Sequence, residues 1–349
     1  MHFKALDGNQ RRQLIDTQQT YEAWLEARAT AARRFAGGMR WGRRSGKDYL
    51  LRKIGTRETS LGRRSAETEA AFERFTLGRQ ENKDRLNNLA TRLDSLARVN
   101  QAMALGRVPI IAARILRLLD ERGLLGDQIF VVGTNALFAY EVLAGIHIES
   151  AVLTSADIDF LYDARRHLSL AYNEIRQSGL IGLLGKVDQS FRPLRPRGFR
   201  AANKDGYQVD LIRPERRDVL RDQLPAALTD LPDDLEGAAI FGLEWLINSP
   251  KLTAIAIDER GYPLRMVVID PRAYALHKAW VADRPDREPL KASRDREQAK
   301  VAAYLSVHYL RLSFEDRDLE ALPNALREKA QVLLAAAQAD EQRSSKPDW

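Results

Sequence analysis

The chain contains no cysteine, which excludes disulfides, thiolate zinc sites and cysteine nucleophiles. The same absence fits a reducing compartment, so a cytoplasmic location is expected. No apolar run approaches the roughly 18 residues needed to span a bilayer, and MHFKALDGNQRRQL at the start lacks the apolar stretch of a signal peptide. A membrane partner is therefore not expected. The five histidines, His2, His147, His167, His277 and His308, show no metal-ligand spacing and are read as structural. No Gly-x-Ser-x-Gly or Ser-His-Asp signature occurs, nor any internal repeat or low-complexity segment.

What is present is the composition of an ordinary folded protein: 349 residues, 44% hydrophobic and 30% charged, enough for two or three structural units. The net charge of +7 is unevenly spread. From Arg33 to Arg64 eleven Lys or Arg residues stand against Asp48 and Glu58, a net +9 that leaves the remainder at −2. A basic surplus confined to one segment points to a polyanionic partner there.

Periodicity predicts a long helix over about 9–36, closed by Gly37 and Gly38, then a short basic β-hairpin over about 39–53, turning near Ser45-Gly46. A second helical block starts near Ser65 and runs to about 122, with a break near Gly106 and Pro109. The texture then changes. IFVVG (129–133) reads as a buried strand leading into a helix, and SADIDFLYD (155–163) alternates as a half-buried strand does. A helix over about 166–178 precedes a Pro/Arg-rich connector, in which FRAAN and YQVDLI flank the turn Lys204-Asp205-Gly206. KLTAIAID and PLRMVVID form a further hairpin, and the pattern is helical from Pro271 to about 340. The expected class is α+β: a small mixed sheet flanked by N-terminal and C-terminal helices, with domains at 1–108, 109–270 and 271–349.

The residues that carry chemistry are Gly133, Asp157, Asp159 and Asp210. Side chains two apart on a strand share a face, so Asp157 and Asp159 project together while Ile158 and Phe160 face the core. Adjacent carboxylates repel unless a cation lies between them, and magnesium prefers such hard oxygen ligands. Asp210 lies on another strand; if the two strands pair, three carboxylates converge, enough to hold two ions about 3.5–4 Å apart. Gly133-Thr134-Asn135 follows a strand and opens a helix, where free N–H groups and the helix dipole favour phosphate.

These motifs, VVGTNAL, SADIDFLYD and YQVDLI, resemble those of the polymerase beta-like nucleotidyltransferases. That superfamily carries a Gly-Gly/Ser or Gly-Thr turn, an Asp-x-Asp/Glu strand and a lone carboxylate on a later strand. The fuller wording resembles a largely uncharacterised bacterial family of this fold and, more distantly, the nucleotidyltransferase components of abortive-infection toxin–antitoxin systems. One departure is the 24 positions from Gly133 to Asp157, longer than the superfamily's usual spacing; the helix through Gly145 and the segment IHIESAVLT account for the length.

The resemblance implies a magnesium-dependent (alternatively manganese-dependent) transferase of the EC 2.7.7 type. It would move a nucleoside monophosphate from an NTP such as ATP to an acceptor, releasing pyrophosphate. Asp157 and Asp159 would hold both ions, and Asp210 would bind the catalytic one and help deprotonate the acceptor. Lys278 would contact the triphosphate, although a solvated helical lysine fits its position equally. Arg287, Lys291 and Arg294 could extend that surface, or Arg294 could pair with Asp295. The acceptor could be RNA such as a tRNA end, a protein or a small molecule. A toxin-type enzyme acting by nucleotidylation, or a catalytically silent nucleotide- or RNA-binding module, are the rival readings. In the basic hairpin Arg40, Trp41, Arg43, Arg44, Lys47 and Tyr49 interleave cations with aromatics, as single-stranded or structured RNA would favour. A solvated charged surface with Trp41 packed in the core is the plainer alternative.

Overall fold

A computed structural model describes residues 3–165, 173–215, 226–320 and 322–344. It is 50% helical and 23% strand, with a mixed sheet and helical flanks, and belongs to the α+β class. The chain divides into two compact units, one of Met1–Gly8, Gly106–Glu259 and Leu264–Trp349, the other of Asn9–Leu105 and Arg260–Pro263. No helix among the described residues is long and apolar enough to cross a membrane.

After a short strand β1 (Phe3–Ala5), the smaller unit consists of α1 (Gly8–Arg34), β2 (Gly38–Arg44), β3 (Lys47–Ile54), β4 (Arg57–Arg63) and α2 (Ala66–Ala102). Helix α1 buries Leu14, Thr17, Tyr21 and Ala27, a stripe at helical spacing. Asn100, fully buried on α2, accepts from Gln13 at 2.8 Å and Thr17 at 3.1 Å and donates to the Gly261 carbonyl at 2.8 Å. One amide thereby ties α1 and α2 together with no polar atom left idle. Chain reversal at Gly37 needs glycine: φ is +73°, and a Cβ there would lie 1.9 Å from the Lys53 carbonyl oxygen. Ser45 and Gly46 both take positive φ, the turn that matches the twist of two antiparallel strands. The expected hairpin is in fact a three-stranded meander, β2–β3–β4. Almost every residue of RETSLGR on β4 is exposed, so no buried alternation marked it as a strand. Ser65 caps α2 reciprocally with Thr68, as its sequence suggested.

The larger unit continues with α3 (Ile110–Glu121), β5 (Ile129–Val132), α4 (Ala136–Ala144), β6 (Ile146–Ile148), α5 (Ser150–Leu153), β7 (Asp157–Tyr162) and α6 (Asn173–Val187). Then come β8 (Arg192–Pro193), β9 (Arg200–Ala202), β10 (Gln208–Pro214), β11 (Ala238–Ile240), α7 (Leu243–Asn248), β12 (Lys251–Ile257) and β13 (Pro263–Ile269). Helices α8 (Pro271–Ala282), α9 (Pro289–His308), α10 (Asn324–Arg327) and α11 (Lys329–Ser344) follow. The sheet order is β12-β13-β5-β7-β10-β9-β8, with β11 beside the C-terminal half of β10. β5 runs antiparallel to β7, whereas β10 is parallel to it. The short β6 pairs with β1 and, with α4 and α5, takes up the long interval between Gly133 and Asp157.

Of the helix expected over about 166–178, residues 166–172 lie outside the described residues. Helix α6 runs on to Val187, further than expected, with a kink at Gly179, where φ is +63°. The buried Asp234 carboxylate sits where a Cβ of Gly179 would lie and accepts from the Ile181 N–H at 3.1 Å, so the helix restarts on a carboxylate borrowed from a distant loop. Three glycines in SGLIGLLG hid that second half from propensity reasoning.

Candidate active site

Strand register assembles the site. Asp159 on β7 is the Cα partner of Val132 on one side and of Asp210 on the other, and Asp210 is the partner of Arg200 on β9. Side chains in register on neighbouring strands share a face, so this row sets Asp159, Asp210 and Arg200 side by side. Asp157, two residues before Asp159, joins the same face, and Ile158 and Phe160 are fully buried on the other, as expected. The row also explains Gly133, which follows Val132 directly. A Cβ on Gly133 would fall 1.9 Å from Asp159 Oδ2, and its φ is +63°. Glycine is required here because the Asp159 carboxylate occupies the space.

The Gly-Thr-Asn turn is knitted to its surroundings. Asn135 Nδ2 donates to the Asp157 carbonyl at 2.7 Å, and Thr134 Oγ1 accepts from Gln298 Nε2 on α9 at 3.0 Å. Gln298 is fully buried; it also donates to the Val152 carbonyl at 3.1 Å and accepts from the Tyr274 hydroxyl at 3.2 Å. The Ser155 hydroxyl donates to the Asp157 carboxylate.

The electrostatics are those of crowded acids. Burial, then the charges of Asp157 and Asp210, raise the Asp159 carboxyl to about 7, against a smaller opposing pull from Lys278 and Arg200. Tyr207, just before β10, is also raised, by burial and by the charges of Asp157 and Asp159, and its buried hydroxyl has no hydrogen-bond partner among the described residues. The donor set is hard carboxylate oxygen, and its chemistry suits magnesium. Among the described residues, however, no three Asp, Glu or His side chains stand arranged to hold an ion. At Asp210, Arg200 donates from Nε to Oδ1 at 2.6 Å and from Nη2 to Oδ2 at 2.5 Å, engaging both oxygens. The register thus aligns the three expected carboxylates, and one of them faces an arginine instead of open space.

A family model described as nucleotidyltransferase matches residues 111–323, well over half of the chain. The chain belongs to this nucleotidyltransferase family. No curated protein and no solved structure matches it.

Within this nucleotidyltransferase, Lys278 acts electrostatically on Asp159 and bonds to Asp295 Oδ1 at 2.7 Å. Arg287 donates from Nε to Asp295 Oδ2 at 2.8 Å, so the fully buried Asp295 holds two cations at once. Asp295 therefore takes Lys278 and Arg287 as partners, the pairing with Arg294 being the one the sequence suggested. Lys291 forms an exposed pair with Glu288 at 3.0 Å. Sequence reasoning missed Arg200, Tyr207, Asp295 and Gln298. For Arg200 a signal existed: a hairpin turning at Lys204-Asp205-Gly206 pairs residue 200 with residue 210.

In the smaller unit, Trp41 is the register partner of Leu50, and Gly42 of Tyr49, so Trp41 and Tyr49 project from opposite faces. Trp41 packs on Phe72 of α2 at 5.9 Å between ring centroids and is covered by Arg64 at 5.2 Å. Trp41 therefore belongs to the packed side, as the plainer alternative had it, and is not a surface that a base could stack on together with Tyr49. Tyr49 accepts from Arg63 Nε at 3.1 Å on the other face. That face carries Arg40 and Arg44, paired with Glu58 at 2.9 and 3.5 Å, together with Lys47 and Lys53. Arg43, Lys47 and Lys53 are exposed and make no ion pair among the described residues.

Proposed function

We propose that this nucleotidyltransferase moves a nucleoside monophosphate from an NTP to an acceptor hydroxyl or phosphate, using two magnesium ions held by Asp157, Asp159 and Asp210. The observation that carries this reading is the cross-strand pairing of Asp159 with Asp210, with Asp157 on the same face. Mutual repulsion in such a cluster is relieved by divalent cations and by little else of that charge density. When bound, magnesium would join the triphosphate to these carboxylates and draw charge from the phosphorus under attack.

The chain's own groups account for the rest. The acceptor oxygen bonds to the α-phosphorus, the bridging bond to the β-phosphate breaks, pyrophosphate leaves, and Asp210 takes the proton where the acceptor is a hydroxyl. Thr134 accepts from Gln298, which leaves the hydroxyl's own proton free to donate to a phosphate oxygen. Asn135 fixes the turn against Asp157. Lys278 and Arg287, both anchored on Asp295, meet the triphosphate's charge with two cations already oriented. The acceptor favoured is RNA, docked on the Tyr49 face of the basic meander, where cations flank one aromatic.

Incubation with each labelled NTP, magnesium and total RNA or protein tests this reading. Label should enter RNA, and Asp159→Asn should lower transfer at least about a hundredfold. Absence of transfer with every NTP removes the enzymatic reading; near-wild-type transfer by Asp159→Asn removes the assignment of the site.

A further inference from the structure

The guanidinium of Arg200 lies against both oxygens of Asp210 in a forked, two-bond arrangement, at 2.6 and 2.5 Å. A carboxylate so engaged has one in-plane lone pair on each oxygen committed, the inward two that a cation chelated by both oxygens would use. A guanidinium and a chelated cation cannot share that inward pair, and their like charges repel at a few ångströms.

The Arg272–Asp270 pair is built differently, whereas Arg117–Asp258, Arg165–Asp163 and Arg287–Asp295 likewise set a buried carboxylate against a part-exposed arginine. Arg272 and Asp270 are each 2% exposed, and Arg272 also donates to the Ser313 carbonyl at 2.6 Å, so that bridge is enclosed on every side. Arg200 is 35% exposed while Asp210 is 6% exposed. It stands on the three-residue strand β9, near the end of the sheet where only the two-residue β8 lies beyond. Its flank is the Phe199 ring at 5.5 Å, a surface a guanidinium can slide across. An enclosed arginine would have no exit; this one has solvent behind it.

We propose that Arg200 is the cation a divalent metal must displace, holding Asp210 as its counter-charge until the metal takes over the carboxylate and the guanidinium turns to solvent. The inference rests on the reading of Asp157, Asp159 and Asp210 as metal ligands. It assigns Arg200 a positioning role, in which metal affinity is set by an exchange on one carboxylate.

Direct titration with Mn2+ alone, followed by calorimetry or by the electron paramagnetic resonance of free Mn2+, tests it without any turnover. Arg200→Ala should bind Mn2+ more tightly than wild type, by about 5- to 150-fold, the usual range for coupled sites. Arg200→Lys, which keeps the charge but not the fork, should fall between the two. Equal or weaker Mn2+ binding by Arg200→Ala overturns the proposal. Should that variant fail to fold, as judged by circular dichroism, wild type itself decides: Mn2+ without nucleotide should speed phenylglyoxal modification of Arg200, mapped by mass spectrometry. Modification that is unchanged or slower overturns it. Mn2+ binding that Asp159→Asn abolishes but Arg200→Ala leaves unchanged sinks this inference alone. No Mn2+ binding by wild type or Arg200→Ala sinks the metal reading with it.

Discussion

Charge is concentrated in two regions of this chain, and they are built on opposite terms. On the central sheet three acidic side chains share one face, fixed by register, with Asp159 pushed to about 7 by burial and by its neighbours. On the basic meander the cations stand on exposed strands, and Lys47 and Lys53 lie in water without an ion-pair partner among the described residues. The acidic cluster therefore costs folding free energy, while the basic surface costs almost none, because solvent screens it. A costly arrangement held in place by rigid strands points to a site where the arrangement itself is needed. A cheap one points to attraction at long range and to a partner met at the surface.

The sharpest way to break this contrast is at Gly133. Gly133→Ala places a Cβ against the Asp159 carboxylate and forces alanine into positive φ, which together should cost roughly 2–5 kcal/mol in urea unfolding. In an Asp159→Ala background the clash is gone and only the φ penalty remains, so the two changes should be strongly non-additive. Additive losses would mean that the carboxylate does not dictate the glycine.

A smaller effect is expected from Asp159→Asn on stability. The folded-state value of Asp159 is raised, so its stabilising contribution is fully present below the ordinary carboxylate value. That contribution is lost as pH rises toward about 7. Metal-free wild type should accordingly lose melting temperature between pH 5 and pH 7 through this group, and Asp159→Asn should lose less. Identical pH profiles would remove the electrostatic cost from the acidic region and, with it, half of the comparison.

Much of the acidic region was legible because strands impose a period of two. The alternation in SADIDFLYD and in YQVDLI placed the carboxylates on one face, and the turn at Lys204-Asp205-Gly206 already contained the Arg200–Asp210 register. Asp295 and Gln298 were not legible. Both sit in the charged helical run KASRDREQAK, where burial follows from how α9 lies along α8 and against the Thr134 turn, a tertiary fact without a local signature. The meander failed differently. Its third strand is exposed nearly throughout, and whether Trp41 faced α2 or water depended on Phe72, 31 positions away and on another element. Composition revealed the charge but not the face.

That face gives the last and mildest test. By the alternation of β3, Lys47, Tyr49, Leu51 and Lys53 share one side, whereas Arg43 on β2 shares the side of Trp41. Lys47→Glu with Lys53→Glu reverses two exposed charges that make no ion pair among the described residues; with Lys53 opposite Glu58 across β3 and β4, unfolding free energy should fall by no more than about 1 kcal/mol. If RNA docks on the Tyr49 face, the same double variant should bind it more weakly. Its log affinity should also fall less steeply with log salt, by about 1.5 in slope for two lost phosphate contacts. Arg43→Glu changes charge comparably per residue but on the packed side, and should reduce the slope less than either lysine change. Filter binding or fluorescence anisotropy on a short single-stranded RNA at several salt concentrations separates the cases. Equal slopes for Arg43→Glu and the lysine variants would mean that only net charge matters and that the meander presents no particular face. A wild-type affinity indifferent to salt would remove nucleic acid from this surface and leave a protein or small-molecule acceptor for the carboxylate site.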